Sequence, residues 1–138
     1  MYFYIKNTKK TLYLGVFFVF LLLFDFLTKH FFYNKSLYCN KNISLNIELD
    51  NYVFWIIWLI INIFFIWQLL FKSKMLYLKQ ISIILVLSGS FSNIFDRIYF
   101  GCVRDFILFF SENFFYFNFA DLFIFIGVFI FFINFPKS

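Results

Sequence analysis

The chain has 138 residues, 64% of them hydrophobic and 14% charged, with a net charge of +5 and a mean hydropathy of +0.87. One domain with this much apolar surface excludes an ordinary soluble globular protein and points to a membrane. The positive charge does not point to nucleic acid, because it is distributed around the apolar stretches rather than gathered in a patch.

Four apolar stretches, 12–27, 53–71, 76–95 and 120–135, approach the ~20 helical residues that cross a hydrocarbon layer. They predict an all-α integral membrane protein with four transmembrane helices, a single membrane domain over 1–138. With the N-terminus cytoplasmic, Lys6, Lys9, Lys10, Lys72, Lys74, Lys79 and Lys137 fall inside, together with no acidic residue. All seven acids fall outside with the other five basic residues, so the inner side is +7 and the outer side −2. Short lysine-rich loops belong on the cytoplasmic side. The expectation is a multi-pass membrane protein with both termini cytoplasmic.

The first span ends in FDFLTK. The residues that follow Leu23 offer no small-residue cleavage site, so a retained span is expected rather than a signal peptide. Asp25 and Lys29 stand four apart, share a helix face and can neutralise each other near the outer boundary. A structural ion pair is the expected role.

Between the first two spans, Asn40-Lys41-Asn42 reads as a turn. Ile43, Leu45, Ile47 and Leu49 then alternate with Ser44, Asn46, Glu48 and Asp50, which predicts a strand within a small extracytoplasmic β-region over about 37–50. Cys39 and Cys102 both fall on the outer side. A disulfide and two separate thiols are both open readings of the sequence.

The third span changes from ISIILVL to SGSFSN, where small residues let backbones approach closely. Beyond it, 98–117 is neither a clean span nor a soluble loop, and an interfacial segment along the outer leaflet is expected. Asn93, Asp96 and Arg97 lie at i, i+3 and i+4 and make one polar stripe at the outer end of this helix. An ion pair between Asp96 and Arg97 at the helix end is the bland reading. Asn118 and Asp121 have the spacing of a capping box at the start of the fourth span. Asp105, between Arg104 and Phe106, has no such structural reading.

Several chemistries are poorly supplied. His30 is the only histidine, so no His-based triad or zincin site is expected, and no metal. Lys79 lies about 14–20 Å of helix before Ser88–Ser92, at the opposite leaflet, which separates a Ser–Lys pair. Two carboxylates remain: held close, they share a proton, one drawing a proton from water and the other bonding a substrate carbonyl. A small proton-coupled transporter using the same carboxylates is the alternative, and a non-enzymatic assembly subunit a third reading.

These motifs resemble those of bacterial lipoprotein signal peptidases, the signal peptidase II family. FDFLTK resembles the family's D-x-x-(S/T)-K with Asp25, Thr28 and Lys29. SGSFSNIFDRIYFGCVRDF is similar to G-G-A-x-G-N-x-x-D-R-x-x-x-G-x-V-x-D-F, matching at Gly89, Asn93, Asp96, Arg97, Gly101, Val103, Asp105 and Phe106. FNFAD, 117–121, matches F-N-x-A-D. The family's N-x-G-x-x-F loop would fall on Asn40-Lys41-Asn42-Ile43-Ser44-Leu45, with Asn for Gly and Leu for Phe. The stretch from Lys29 to Asn40 is shorter than is usual in the family.

The resemblance implies a membrane aspartyl endopeptidase, acting without a cofactor at the outer face, with Asp105 and Asp121 as the catalytic pair. It implies supporting or substrate-holding roles for Asn40, Asn93, Asp96, Arg97 and Asn118, and structural ones for Asp25 and Lys29. The implied partners are a diacylglyceryl-modified prolipoprotein, cut before its lipidated cysteine, and membrane lipid. No nucleic acid is implied, and a monomer is expected.

Overall fold

A computed structural model describes residues 8–33, 38–42, 50–72, 75–109 and 115–133. Its elements, in order, are α1 (Thr8–Phe32), β1 (Tyr38–Asn40), α2 (Asn51–Phe71), α3 (Tyr77–Phe100), β2 (Val103–Asp105), β3 (Ile107–Phe109), β4 (Phe115–Phe117) and α4 (Phe119–Ile133). α1, α2 and α3 are long and apolar enough to cross a membrane. α4 is equally apolar but spans 15 described residues, about 22 Å of helix.

α3 is the centre of the bundle. Half of its 24 residues are buried, among them Ile83, Ile84, Val86 and Leu87, and the other helices pack around it. α1 and α2 turn most of their apolar surface outward: Val16, Phe20, Ile60 and Ile63 are each more than half exposed. In water such a belt would be a liability. In a bilayer it is the lipid-facing wall.

α3 and α4 meet at two glycines. A Cβ on Gly89 would collide with the Ala120 carbonyl oxygen, and one on Gly127 would come within 2.6 Å of the Ser82 carbonyl oxygen. The small residues of SGSFSN therefore bring the α4 backbone against α3 at Gly89, next to the polar end of the bundle.

α3 runs five residues past the span expected at 76–95. It ends at Gly101, whose φ of 72° lies in the left-handed region that glycine enters without strain. The segment 98–117, expected along the membrane surface, holds the end of α3 and three short strands. β1 pairs antiparallel with β2, with Tyr38 opposite Asp105, Cys39 opposite Arg104 and Asn40 opposite Val103. β3 pairs with β4, with Phe109 and Phe115 stacked across the pair. The alternating strand expected over 43–50 lies outside the described residues, save Asp50, which caps α2 by accepting from the Tyr52 N–H at 3.0 Å.

Cys39 and Cys102 form a disulfide, which decides between the two readings left open by the sequence.

Candidate active site

Polar side chains from α1, α3, β1, β2 and α4 converge at the end of the bundle away from Lys9, Lys10, Lys72 and Lys79. Lys29 forms the base of this cluster. Its ammonium is fully buried, 2.6 Å from Asp25 Oδ2 and 3.2 Å from Asp96 Oδ2, and donates to Asn93 Oδ1 at 3.0 Å. Asp25 accepts further from the Ser92 hydroxyl at 2.6 Å and from the Ala120 N–H at 2.9 Å, tying α1 to α3 and α4. Buried charge is tolerated only when paired and hydrogen-bonded, and here both conditions hold.

The neighbouring residues Asp96 and Arg97 take different partners. Asp96 pairs with Arg104 across the Gly101 turn, 2.8 Å to Nη2, and also accepts from the Arg104 N–H at 3.1 Å. The Arg104 guanidinium is stacked 4.1 Å from the Phe100 ring centre, and it is buried. Arg97 instead donates to the Asn42 carbonyl at 2.7 Å and lies over the Phe54 ring. Asp25, Lys29, Asp96 and Arg104 thus form a neutral buried quartet. The sequence sets Arg104 beside Asp105 rather than with Asp96, and its position eight residues after Asp96, beyond a glycine turn, hides the pairing.

Above this quartet sit Asp105 and Asp121. Asp105, on β2, is 1% exposed and accepts one amide on each oxygen: Asn118 Nδ2 at 2.7 Å on Oδ1 and Asn40 Nδ2 at 3.0 Å on Oδ2. Asp121, in the first turn of α4, accepts from Asn93 Nδ2 at 2.8 Å and from the Asn118 backbone N–H at 3.2 Å. Asn118 Oδ1 in turn accepts from the Asp121 N–H at 2.9 Å, closing a reciprocal capping pair. Asn118 therefore does what the capping reading expects and also joins the two carboxyls.

The electrostatics follow from this shape. Burial, and then the neighbouring Asp121 charge, push the Asp105 carboxyl up to about 7, against the pull of the Asn40 and Asn118 hydrogen bonds and of Lys29. A carboxyl that keeps its proton near neutrality beside a second carboxyl is what acid–base work on a carbonyl requires. Among the described residues no group of three or more His, Cys, Asp or Glu converges as a metal site would.

The family profile described as "Signal peptidase (SPase) II" matches residues 8–136. The chain belongs to the signal peptidase II family. Relatives named lipoprotein signal peptidase include one from Bartonella tribocorum, 37% identical over 73 residues, and one from Bartonella quintana, 40% identical over 73 residues. Each of these matches covers 51% of this chain and 44% of the relative. A third, from Wigglesworthia glossinidia brevipalpis, is 48% identical over 52 residues, covering 36% of this chain and 34% of the relative. The chain thus spans less than half the length of the curated relatives it matches.

In three dimensions the likeness extends further. Two solved structures of a bacterial membrane enzyme, obtained by the in meso method, match with TM-scores of 0.73 and 0.72 at 27% and 25% identity. Each match covers 91% of this chain and 93% of the solved one. The family assignment lends no support to the transporter alternative.

Proposed function

We propose that this protein is a membrane aspartyl endopeptidase that removes signal peptides from diacylglyceryl-modified prolipoproteins, cutting before the lipidated cysteine. The observation that carries this reading is the joint hold on Asp105 and Asp121: two carboxyls from different elements, each between two amide donors, with Asn118 touching both.

In this reading the pair carries one proton, on Asp105. Asp121 takes a proton from a water as the water oxygen attacks the scissile carbonyl carbon. Asp105 gives its proton to the carbonyl oxygen, forming a neutral gem-diol. Collapse returns a hydroxyl proton to Asp105 while Asp121 protonates the leaving nitrogen, so the pair ends with one proton, as it began. Asn93 and Asn118 aim the carboxyls, Arg97 is free of the buried quartet to hold substrate backbone, and Asp25, Lys29 and Asp96 fix the helices beneath.

The site is read as facing the outside of the cytoplasmic membrane, with both termini inside. Lys9, Lys10, Lys72 and Lys79 gather at the opposite end, and the Cys39–Cys102 disulfide is of a kind that persists in oxidising compartments. Asp121 opens α4 at that boundary, where a substrate anchored by its lipid can reach the pair.

The test is cleavage of a diacylglyceryl-modified prolipoprotein beside its unlipidated form. Only the lipidated one is cut, and Asp105→Asn or Asp121→Asn each lowers turnover by about 10²-fold or more. A double variant that cuts at the wild-type rate ends the proposal.

A further inference from the structure

The disulfide stands next to the reactive pair without touching it. In the β1–β2 ladder, Cys39 lies opposite Arg104 and Asn40 opposite Val103. Side chains alternate along a strand, so Cys39 shares one face with Arg104 while Asn40 shares the other with Asp105, and Cys102, the residue before β2, is joined to Cys39. The covalent bond therefore closes the ladder from behind, one residue from the asparagine whose amide sits 3.0 Å from Asp105 Oδ2.

Among the described residues, the main element packed against β1 is β2. The strand is three residues long, and two-stranded ladders of this length are marginal alone. Among the described residues, the Tyr38 ring stacks on Tyr116, the Asn40 amide donates to Asp105, and Arg97 donates to the Asn42 carbonyl just beyond the strand. The two cysteines are 63 residues apart in sequence, so without a covalent link β1 must find β2 across a long chain each time the ladder opens. Cys102 is buried, but Cys39 is exposed, which leaves the bond open to a thiol reagent.

We infer that the Cys39–Cys102 disulfide is a positioning element of the reactive site: it pins β1 so that Asn40 keeps its hydrogen bond on Asp105, and its reduction lowers turnover. The inference rests on the role given to Asp105 above. Reduction by dithiothreitol delivers two electrons and two protons, breaking the S–S bond into two thiols and leaving the reagent as its cyclic disulfide.

The experiment uses the full chain in detergent micelles, well below its melting temperature, with thiols counted by mass spectrometry. Reduction lowers kcat by about 10-fold or more, as small misplacements of a catalytic group do, with a smaller change in KM. Reoxidation restores kcat. A Cys39→Ser/Cys102→Ser variant is slow from the start and indifferent to dithiothreitol. A disulfide that matters only for stability lowers the melting temperature and leaves kcat of the folded protein alone, and that result overturns the inference. Free thiols at Cys39 and Cys102 in the purified protein overturn it as well. Should the oxidised protein leave lipidated substrate uncut, the peptidase reading falls, and amide exchange over Tyr38–Asn40 decides the clip separately. Faster exchange after reduction supports it, and unchanged protection removes it.

Discussion

Nδ2 of Asn118 lies 2.7 Å from Oδ1 of Asp105, while the backbone N–H of the same asparagine donates to Oδ2 of Asp121. One residue thus sets the spacing of the two carboxyls from between them. Asn118→Ala keeps the backbone bond to Asp121 but deletes the one to Asp105 and the side-chain cap on the Asp121 N–H. The expected result is a fall in kcat of about 10-fold to 10²-fold with KM little changed, read in the lipidated-substrate assay. Asn118→Asp replaces the donor by a third carboxylate and lowers kcat further. Equal activity in all three proteins would remove Asn118 from the site.

With Asp105 as the proposed acid, its titration sets the pH profile. Its carboxyl, raised to about 7 by burial and by Asp121, loses its proton as pH rises through that value, so kcat/KM falls on the alkaline side with a midpoint near 7. Asn40 pulls this value down through its hydrogen bond to the ionised form. Asn40→Ala therefore moves the alkaline limb to higher pH, at reduced maximal rate. A limb that stays in place, or moves to lower pH, contradicts the assignment.

The same shift makes a stability prediction of definite sign. Asp105 folded holds its proton up to about 7, and unfolded only to about 4, so between these values the folded state binds more protons. Stability from this group falls as pH rises through the window, and the loss is complete above it. Asp105→Asn removes the titration. Relative to wild type, the variant gains on the order of 2–4 kcal/mol on going from pH 4 to pH 8, measured by thermal unfolding in micelles. A difference that is flat with pH would mean the carboxyl is ordinary.

Local reading of the sequence recovered those parts of this site that local chemistry dictates. Asp25 and Lys29 share a helix face because they are four apart, and Asn118 and Asp121 cap a helix because they are three apart; both relations appear as bonds. What distance along the chain hides was not legible. Asp96 finds Arg104 only after α3 ends and Gly101 turns the chain back, and the neighbour Arg97 points elsewhere. The Asp25 bond to Ala120 spans 95 residues. Spacing alone cannot fix a pairing of Cys39 with Cys102, so the sequence leaves the disulfide open. Three-residue strands are too short for a period to register, so 98–117 reads as a single interfacial segment in the sequence.

Lys29 is the cation under the whole site. Removing it leaves Asp25 fully buried with no counter-charge and takes one of two cations from Asp96. Lys29→Met is expected to destabilise the fold by about 3–5 kcal/mol, the cost of an uncompensated buried charge. The cause is separable. Adding Asp25→Asn to Lys29→Met removes the orphaned charge, so the double variant is more stable than Lys29→Met alone. Simple additivity in thermal unfolding would show that the pair does not act as a unit.

A close approach of two helices brings Asp121 beside Asn118 and Asn93. α4 approaches α3 at Gly89, where any Cβ would meet the Ala120 carbonyl oxygen and crowd Ile124. The obstacle on one side is backbone, which cannot rotate away, so Gly89→Ala forces the helices apart one residue before Asp121. Overpacking of this kind costs about 1–3 kcal/mol, and the displaced carboxyl lowers kcat by about 10-fold or more. Gly15→Ala on the outward face of α1 is the control, since a Cβ there meets nothing within 4 Å, and it adds helix propensity instead. The expected outcome is an inactive, less stable Gly89→Ala beside a Gly15→Ala that unfolds no earlier than wild type and turns over as fast. Loss of activity in both would place the fault in glycine replacement generally, whereas loss only at Gly89 ties it to the α3–α4 approach that carries Asp121 to Asp105.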